Sequence, residues 1–251
     1  MAGILYLVPN TLGATDAAAN SAALVDVIPG SVQALAARLD YYIAENAKTT
    51  RAFLKTLSAE HPLAKPIQEI RISELNVNTD PASLPALLTP ILDGCDGGLI
   101  SEAGVPAVAD PGANLVRLAH AQHIRVRPLV GPSSLLLAVM ASGLNGQSFA
   151  FNGYLPIDAA QRAKRIKALE DRSRQEKQTQ LFIETPYRNM ACLETLAHHC
   201  NASTLICLAT DLTLTSETII TKTAGQWKNN LSKGDVPAVQ KRPTVFLLLA
   251  G

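Results

Sequence analysis

The stretch GLISEAGVPAVADPG, residues 98–112, holds the pattern that decides the fold. It starts as a short apolar run, Gly98–Ser101, and breaks into a loop of small residues, prolines and acids, Ser101–Gly112. Pro111 then opens a helical pattern over about 111–123, where a missing N–H in the first turn costs nothing. Strand, rigid loop and helix in that order make one unit of an α/β fold.

The same texture recurs on both sides. Ile4–Val8, Asp40–Ala44, Ile70–Leu75 and Arg125–Val130 read as further strands. Helices are expected at about 47–58, 83–93 and 132–143, the last opened by Pro132. This alternation predicts a mostly parallel sheet with right-handed crossovers. Gly13–Gly30 ends in a Pro29-Gly30 break and reads as a loop, and Gly94, Gly97 and Gly98 read as turn residues before a strand. The cluster Gly143-Leu144-Asn145-Gly146 marks a linker, giving an N-terminal α/β domain over 1–144 and a C-terminal one over 145–251. In the second, Ser148–Tyr154 and Gln180–Glu184 read as strands around a charged helix at about 158–177. Ser203–Thr210 and Glu217–Thr221 pair as a hairpin across Asp211–Ser216, and Thr244–Ala250 closes a mixed sheet.

Bulk properties narrow the function. With 251 residues, 47% of them hydrophobic, the chain can bury one large or two modest cores. A formal net charge of +1 provides no global attraction to nucleic acid or anionic membranes, and 4% aromatics disfavours a base-stacking surface. Cys95, Cys192, Cys200 and Cys207 form no C-x-x-C pair and read as small hydrophobes. MAGILYLVPN lacks the basic start of a signal peptide, and no run of about 18 apolar residues occurs, so a soluble cytoplasmic protein is expected. His120 and His123 fall on a surface helix, and His198, His199 and Cys200 at a helix end, so no metal site is expected. No G-x-G-x-x-G follows the first strand, and no phosphate-binding G-x-x-x-x-G-K-[ST] or G-x-S-x-G elbow occurs; Ser133-Ser134 lacks a histidine partner.

Chemistry is expected instead at the carboxyl ends of the parallel strands, where open sheets bind ligands. Val8–Gly13, Ser101–Gly112 and Val130–Ser134 all leave strands there, rich in Gly, Pro and small residues that let a ligand approach the backbone.

These segments carry a family likeness. LYLVP at 5–9, SEAGVPAVADPG at 101–112, VGPSS at 130–134 and ASGL at 141–144 resemble the tetrapyrrole methylase superfamily. Within it they are most similar to the small-subunit ribosomal RNA methyltransferase I branch, together with FNGYLP at 151–156, FIETPYR at 182–188 and DLTLTSE at 211–217. The likeness covers nearly the whole chain. It implies two α/β domains with S-adenosylmethionine in the cleft between them, a homodimer, and methylation of a cytidine ribose 2′-oxygen in ribosomal RNA. It also implies cofactor contacts from Pro9, Ser101, Glu102, Ala103, Gly104, Val105, Pro106, Ser133 and Ser134. From the second domain it adds Tyr154, Leu155, Thr185, Pro186, Leu212, Pro243 and Thr244. Backbone amides and small hydroxyls suffice to hold this cofactor, and its sulfonium supplies the reactivity.

Three segments depart from the branch: NTLGAT at 10–15 for G-N-L-x-D-I, AENAK at 44–48 for A-E-D-T-R, and DLTL at 211–214 for E-L-T-K. The departures concern the acceptor more than the cofactor. A small-molecule acceptor such as a tetrapyrrole precursor, or a non-catalytic module binding the cofactor or RNA, therefore stands beside the RNA reading. A deep enclosed cavity would favour the small molecule, and an open trough rimmed by arginines would favour RNA. A ribose hydroxyl is a poor nucleophile, so a base or cation beside it is expected, with Glu45, Lys48 and Asp211 as candidates. The helix at 161–177 carries seven cationic residues against three acidic ones, and Arg162 and Arg165 are the expected phosphate contacts.

Overall fold

The computed structural model describes residues 1–13 and 24–251; most of the expected 13–30 loop lies outside the described residues. The chain divides into two compact units, Met1–Ser133 and Ser134–Gly251.

In the first unit the described elements are β1 (Ile4–Val8), α1 (Gly30–Ala37), β2 (Tyr41–Ala44), α2 (Ala47–Leu57), β3 (Arg71–Glu74), α3 (Leu84–Leu92), β4 (Gly97–Ile100), α4 (Ala113–Ala121) and β5 (Arg125–Pro128). The strands form one sheet in the order β3-β2-β4-β1-β5, parallel at every pairing. Alternate residues serve opposite faces, as the two-residue period of a strand demands. Tyr6, Val8, Tyr42, Ala44 and Ile100 pack against α1 and α2, whereas Leu5, Tyr41, Ile43 and Leu99 pack against α3 and α4. β4 lies between β1 and β2 and β1 lies between β4 and β5, with α1, before β2, on one face of the sheet and α4, before β5, on the other. The neighbouring strands β1 and β4 therefore form the topological switch point of the sheet.

Gly97 and Gly98 are strand residues rather than turn residues. A Cβ on Gly98 would sit 2.9 Å from the Tyr42 ring, which is fully buried with its hydroxyl donating to Ala36 O at 2.6 Å. The missing side chain makes room for that ring. The outer strands β3 and β5 carry Arg71, Glu74, Arg125, Arg127 and Pro128 at exposed positions.

The second unit contains α5 (Ser134–Ser142), β6 (Phe149–Tyr154), α6 (Ala159–Glu176), β7 (Thr179–Ile183), α7 (Asn189–His199), β8 (Leu205–Thr210), β9 (Thr218–Thr223), α8 (Ala224–Lys233) and β10 (Thr244–Leu249). Their sheet runs β6-β7-β10-β8-β9, parallel only between β6 and β7. It is the expected mixed sheet, and β8 and β9 form the expected hairpin. Helix α5, placed by the linker reading with the first domain, packs instead on β8, β9 and β10, and Thr221 Oγ1 donates to Ser142 O at 2.7 Å. The division thus falls before α5 rather than after it. Helices α6, α7 and α8 contribute to the core around Phe182 and Phe246, whose rings stack 5.8 Å apart. Trp227 is fully buried there and donates its indole N–H to Ile206 O at 3.0 Å.

Cys192 and Cys207 are buried, Cys95 and Cys200 half-buried, and all are free thiols. Burial pushes each thiol above its ordinary value, which favours the unreactive protonated form. No described helix is long and apolar enough to cross a membrane.

Candidate functional site

At the carboxyl edge of the first sheet the expected loops interlock. The Asn10 backbone N–H donates to Gly104 O at 2.8 Å, and Gly104 N–H donates to Thr11 O at 3.1 Å. The Asn10 side chain, 8% exposed, donates to Glu102 O at 3.0 Å and accepts from Thr11 N–H at 2.9 Å. The loop after β1 is thereby stitched to the loop after β4. Gly131 presses against Pro9 so closely that a Cβ there would lie 2.1 Å from Pro9 Cβ. Pro9, the Ser101–Pro106 segment and the loop leading to Ser133 are brought together by these contacts; Ser134 begins α5 in the second unit.

Ala107 and Ala109 adopt left-handed backbone (φ 65° and 66°), at a cost of about 1–2 kcal/mol each. Such strain persists where the surroundings over-determine the turn. It carries the chain round to Asp110, whose carboxyl is pushed up to about 6 by burial and then by the Glu45 charge. The Ser101 hydroxyl lies near enough to offset a little of this, and Glu102 adds to it. Ser101 is 3% exposed, and its Oγ makes no hydrogen bond of good geometry. Asn10 and Asp110 are the residues that sequence reasoning missed here. An asparagine directly after a strand was the available signal for the first; only the folded neighbourhood reveals the second.

Glu45 accepts the Glu102 N–H at 3.1 Å, so it braces the loop after β4. Lys48 is exposed in the first turn of α2. The N-cap Asn46 accepts from Lys48 N–H at 2.9 Å and Thr49 N–H at 3.3 Å, and Ala47 N–H donates to Glu74 at 3.1 Å. A cavity of about 680 Å³ lies between this helix and the loops after β1 and β4, with Lys48, Phe53, Leu12 and Glu102 among its walls. Among the described residues no group of three or more His, Cys, Asp or Glu is placed to hold a metal ion.

The second unit assembles its own edge. β6, β7 and β8 end where β10 begins, which gathers Tyr154, Thr185, Asp211 and Thr244 at one side of the sheet. Tyr154, Thr185 and Pro243 are exposed and Pro186 half-buried. Leu155 and Leu212 are core residues, and Thr244 is enclosed with its hydroxyl accepting from Asn189 Nδ2 at 3.2 Å. Glu184, whose Oε1 takes the Thr185 N–H and the Arg188 guanidinium, leaves Oε2 without a partner, as Asn189 leaves Oδ1.

Two expectations need correction. Asp211 is not a free acid or base: Arg242 donates to its Oδ2 at 2.7 Å, as does Ser216, and its side chain is only 9% exposed. Arg162 is buried, donating to Thr195 Oγ1 at 3.2 Å and Ile157 O at 3.0 Å, so its charge is spent inside the unit. Arg165 is exposed and reaches Asn152 at 3.3 Å.

No family model matches the chain. It is 30% identical over 217 residues to ribosomal RNA small subunit methyltransferase I of Escherichia coli O157:H7, covering 86% of this chain and 68% of that protein. The protein of the same name from Xylella fastidiosa (strain Temecula1) is 33% identical over 177 residues, 70% of this chain and 60% of its own length. The chain thus spans roughly two thirds of these relatives. Among solved structures, the methyltransferase CobJ superposes with a TM-score of 0.61 at 16% identity, covering 99% of this chain and 95% of that one. Cobalt precorrin-4 methyltransferase CbiF gives 0.57 at 13% identity, covering 98% and 94%. At such identities these structures establish the two-sheet fold. Identity and coverage together place the chain in the ribosomal RNA small subunit methyltransferase I family.

Proposed function

We propose that this chain transfers a methyl group from S-adenosylmethionine to small-subunit ribosomal RNA, at a ribose 2′-oxygen. The observation that carries the cofactor assignment is the interlocked edge of the first unit. There the Ser101 hydroxyl is buried without a good partner, and glycines keep the backbone bare. Its Glu45, Glu102 and Asp110 carboxylates suit a ligand that carries a net positive charge. Ser101, Gly104 and Val105 would hold the cofactor from this unit. Bound there, it supplies an activated methyl group; the protein orients the acceptor and excludes water.

The acceptor reading follows the name of the relatives. A tetrapyrrole precursor bearing several carboxylates needs several cations, and among the described residues Lys48 is the one lysine or arginine lining the cavity. We keep Glu45 and Lys48 as groups beside the acceptor and assign Asp211 to holding the 211–216 turn. A homodimer and a cytoplasmic location belong to the same reading, and the free thiols suit a reducing compartment.

Calorimetry with S-adenosylmethionine and its demethylated product tests the cofactor. Radiolabel transfer to isolated small ribosomal subunits tests the substrate, and resistance of one phosphodiester to alkaline cleavage reports a 2′-O-methyl group. Absence of cofactor binding would overturn the reading; label on a base instead of a ribose would overturn its finer part.

A further inference from the structure

We infer that the Asp110 carboxylate, set against Glu45 and beside the buried Ser101 hydroxyl, is the counter-charge by which the first unit tells a cationic methyl donor from its neutral demethylated product. The inference rests on the methyltransferase reading and names what makes that site selective. An aspartate just before a helix ordinarily caps it. Asp110 does not: the N-cap of α4 is Gly112, and no side chain accepts from the first turn. Among the described residues no ion pair includes Asp110, Glu45 or Glu102, and residues 14–23 contain no lysine or arginine. The charges acting on Asp110 are Glu45 and then Glu102, both of its own sign. Left-handed backbone at Ala107, Ala109 and Gly112, with φ of 65°, 66° and 134°, brackets the residue and is sustained only by fixed surroundings. Strain and like charge together hold a half-buried carboxylate that no described cation neutralises, the condition that marks a ligand site. Ser101 points the same way independently. It is 3% exposed, its Oγ has no hydrogen-bond partner of good geometry, and it lies next to the Asp110 carboxyl.

Charge sets the ligand class. Among the described residues no three acidic, histidine or cysteine side chains converge on an ion, so an organic cation is the fitting occupant. S-adenosylmethionine carries a sulfonium and an ammonium against one carboxylate, a net positive charge; the demethylated product has lost the sulfonium and is neutral. Net attraction to Asp110 and Glu45 therefore exists for the donor and vanishes for the product. A partly buried carboxylate is screened less than one in open solvent, so the difference is felt. In the transfer an O–C bond forms and an S–C bond breaks, which leaves a neutral thioether and frees the hydroxyl proton. Asp110 then loses its counter-charge and regains its affinity for a proton. Burial and then the Glu45 charge push this carboxyl up to about 6, so the exchange with solvent falls in an accessible pH range. Donor binding should expel a proton from Asp110, and conversion to product should restore it.

The test is calorimetry of the full chain with S-adenosylmethionine and with its demethylated product, in buffers of different ionisation enthalpy, which counts protons exchanged on binding. At pH 6 the donor should release up to about half a proton, since the group is half-protonated there, and the product close to none. Asp110→Asn should abolish the release. It should also shift the ratio of the two dissociation constants toward the product by about tenfold at pH 7.5, the equivalent of one pKa unit of charge interaction. At pH 5, where the wild-type acid is largely protonated, that shift should shrink to about twofold or less. Glu45→Gln, which can still accept the Glu102 N–H, should move the pH of greatest release downward because a neighbouring like charge is gone. Equal proton release with both ligands, release that persists in Asp110→Asn, or an unchanged ratio overturns the inference. So does loss of both ligands to the same degree, which makes Asp110 a structural residue, or an Asp110-dependent heat with magnesium chloride alone, which assigns the pair to a metal. Failure of the wild type to bind either ligand strikes the methyltransferase reading itself and takes the inference with it.

Discussion

Asp110→Asn should make the protein more stable near neutral pH, and the gain should disappear in acid. The carboxyl is moved from 3.8 to about 6 by burial and by the Glu45 and Glu102 charges. That distance corresponds to about 3 kcal/mol at 1.36 kcal/mol per pKa unit, and solvent screening of a half-exposed group reduces it to about 1–2 kcal/mol. The unfolded chain releases this proton near 3.8 and the folded one near 6. Between those values the folded state binds more protons, so stability falls as pH rises through the window. Above pH 6 the ionised carboxylate imposes its full cost, which asparagine removes. For a chain of this size the gain amounts to about 2–8 °C in melting temperature. Differential scanning calorimetry at pH 4, 5, 6 and 7.5 checks it. The difference should be largest at pH 7.5 and close to zero at pH 4. A cationic cofactor should also favour the ionised acid, so wild-type affinity for S-adenosylmethionine should weaken below pH 6 while the variant stays flat. A variant less stable than wild type at pH 7.5, or a melting difference that ignores pH, would refute the reasoning.

Other substitutions separate structural from functional roles. Asp211→Asn and Arg242→Ala should each cost about 2–4 kcal/mol by breaking a largely buried ion pair, with methyl transfer per folded molecule nearly unchanged; denaturant melts beside turnover assays check this. Gly131→Ala should cost about 1–3 kcal/mol, because its methyl group collides with Pro9, and should weaken cofactor binding measured by calorimetry. Arg162→Ala should lower stability by about 1–3 kcal/mol without altering RNA affinity, whereas Arg165→Ala should do the reverse in a filter-binding assay. Glu170→Ala should cost about 2–4 kcal/mol in thermal denaturation, since the buried carboxylate accepts from Thr204, Asn201 N–H and Lys167 together.

Much of the fold was legible because its strands and helices are short, periodic and punctuated. Ile4–Val8, Gly98–Ser101 and the β8–β9 hairpin announce themselves by apolar runs between turn residues. Helix α1 was hidden because Pro29-Gly30 looks like a break, yet Pro29 is its N-cap and Gly30 its first residue. Helix α8 carried a readable signal that the apolar pattern obscured. Thr223 and Gln226 form a reciprocal capping box, and Gly234 closes the helix in left-handed conformation. At the site, chain spacing located the loops but not the burial of their charges. Arg162 and Asp211 look like surface groups in sequence, and only the packing of Thr195 and Arg242 against them shows otherwise.

The outer strands of the first sheet have a consequence for how this protein behaves at high concentration. Exposed backbone at a sheet edge can template the addition of a strand from another molecule. Here one border bears Arg71 and Glu74, and the other bears Arg125, Arg127 and a proline that offers no N–H. Both borders resist being extended, so fibre-like growth from this sheet is discouraged. Self-association through this sheet must then come from side-chain surfaces, not from strands joined edge to edge.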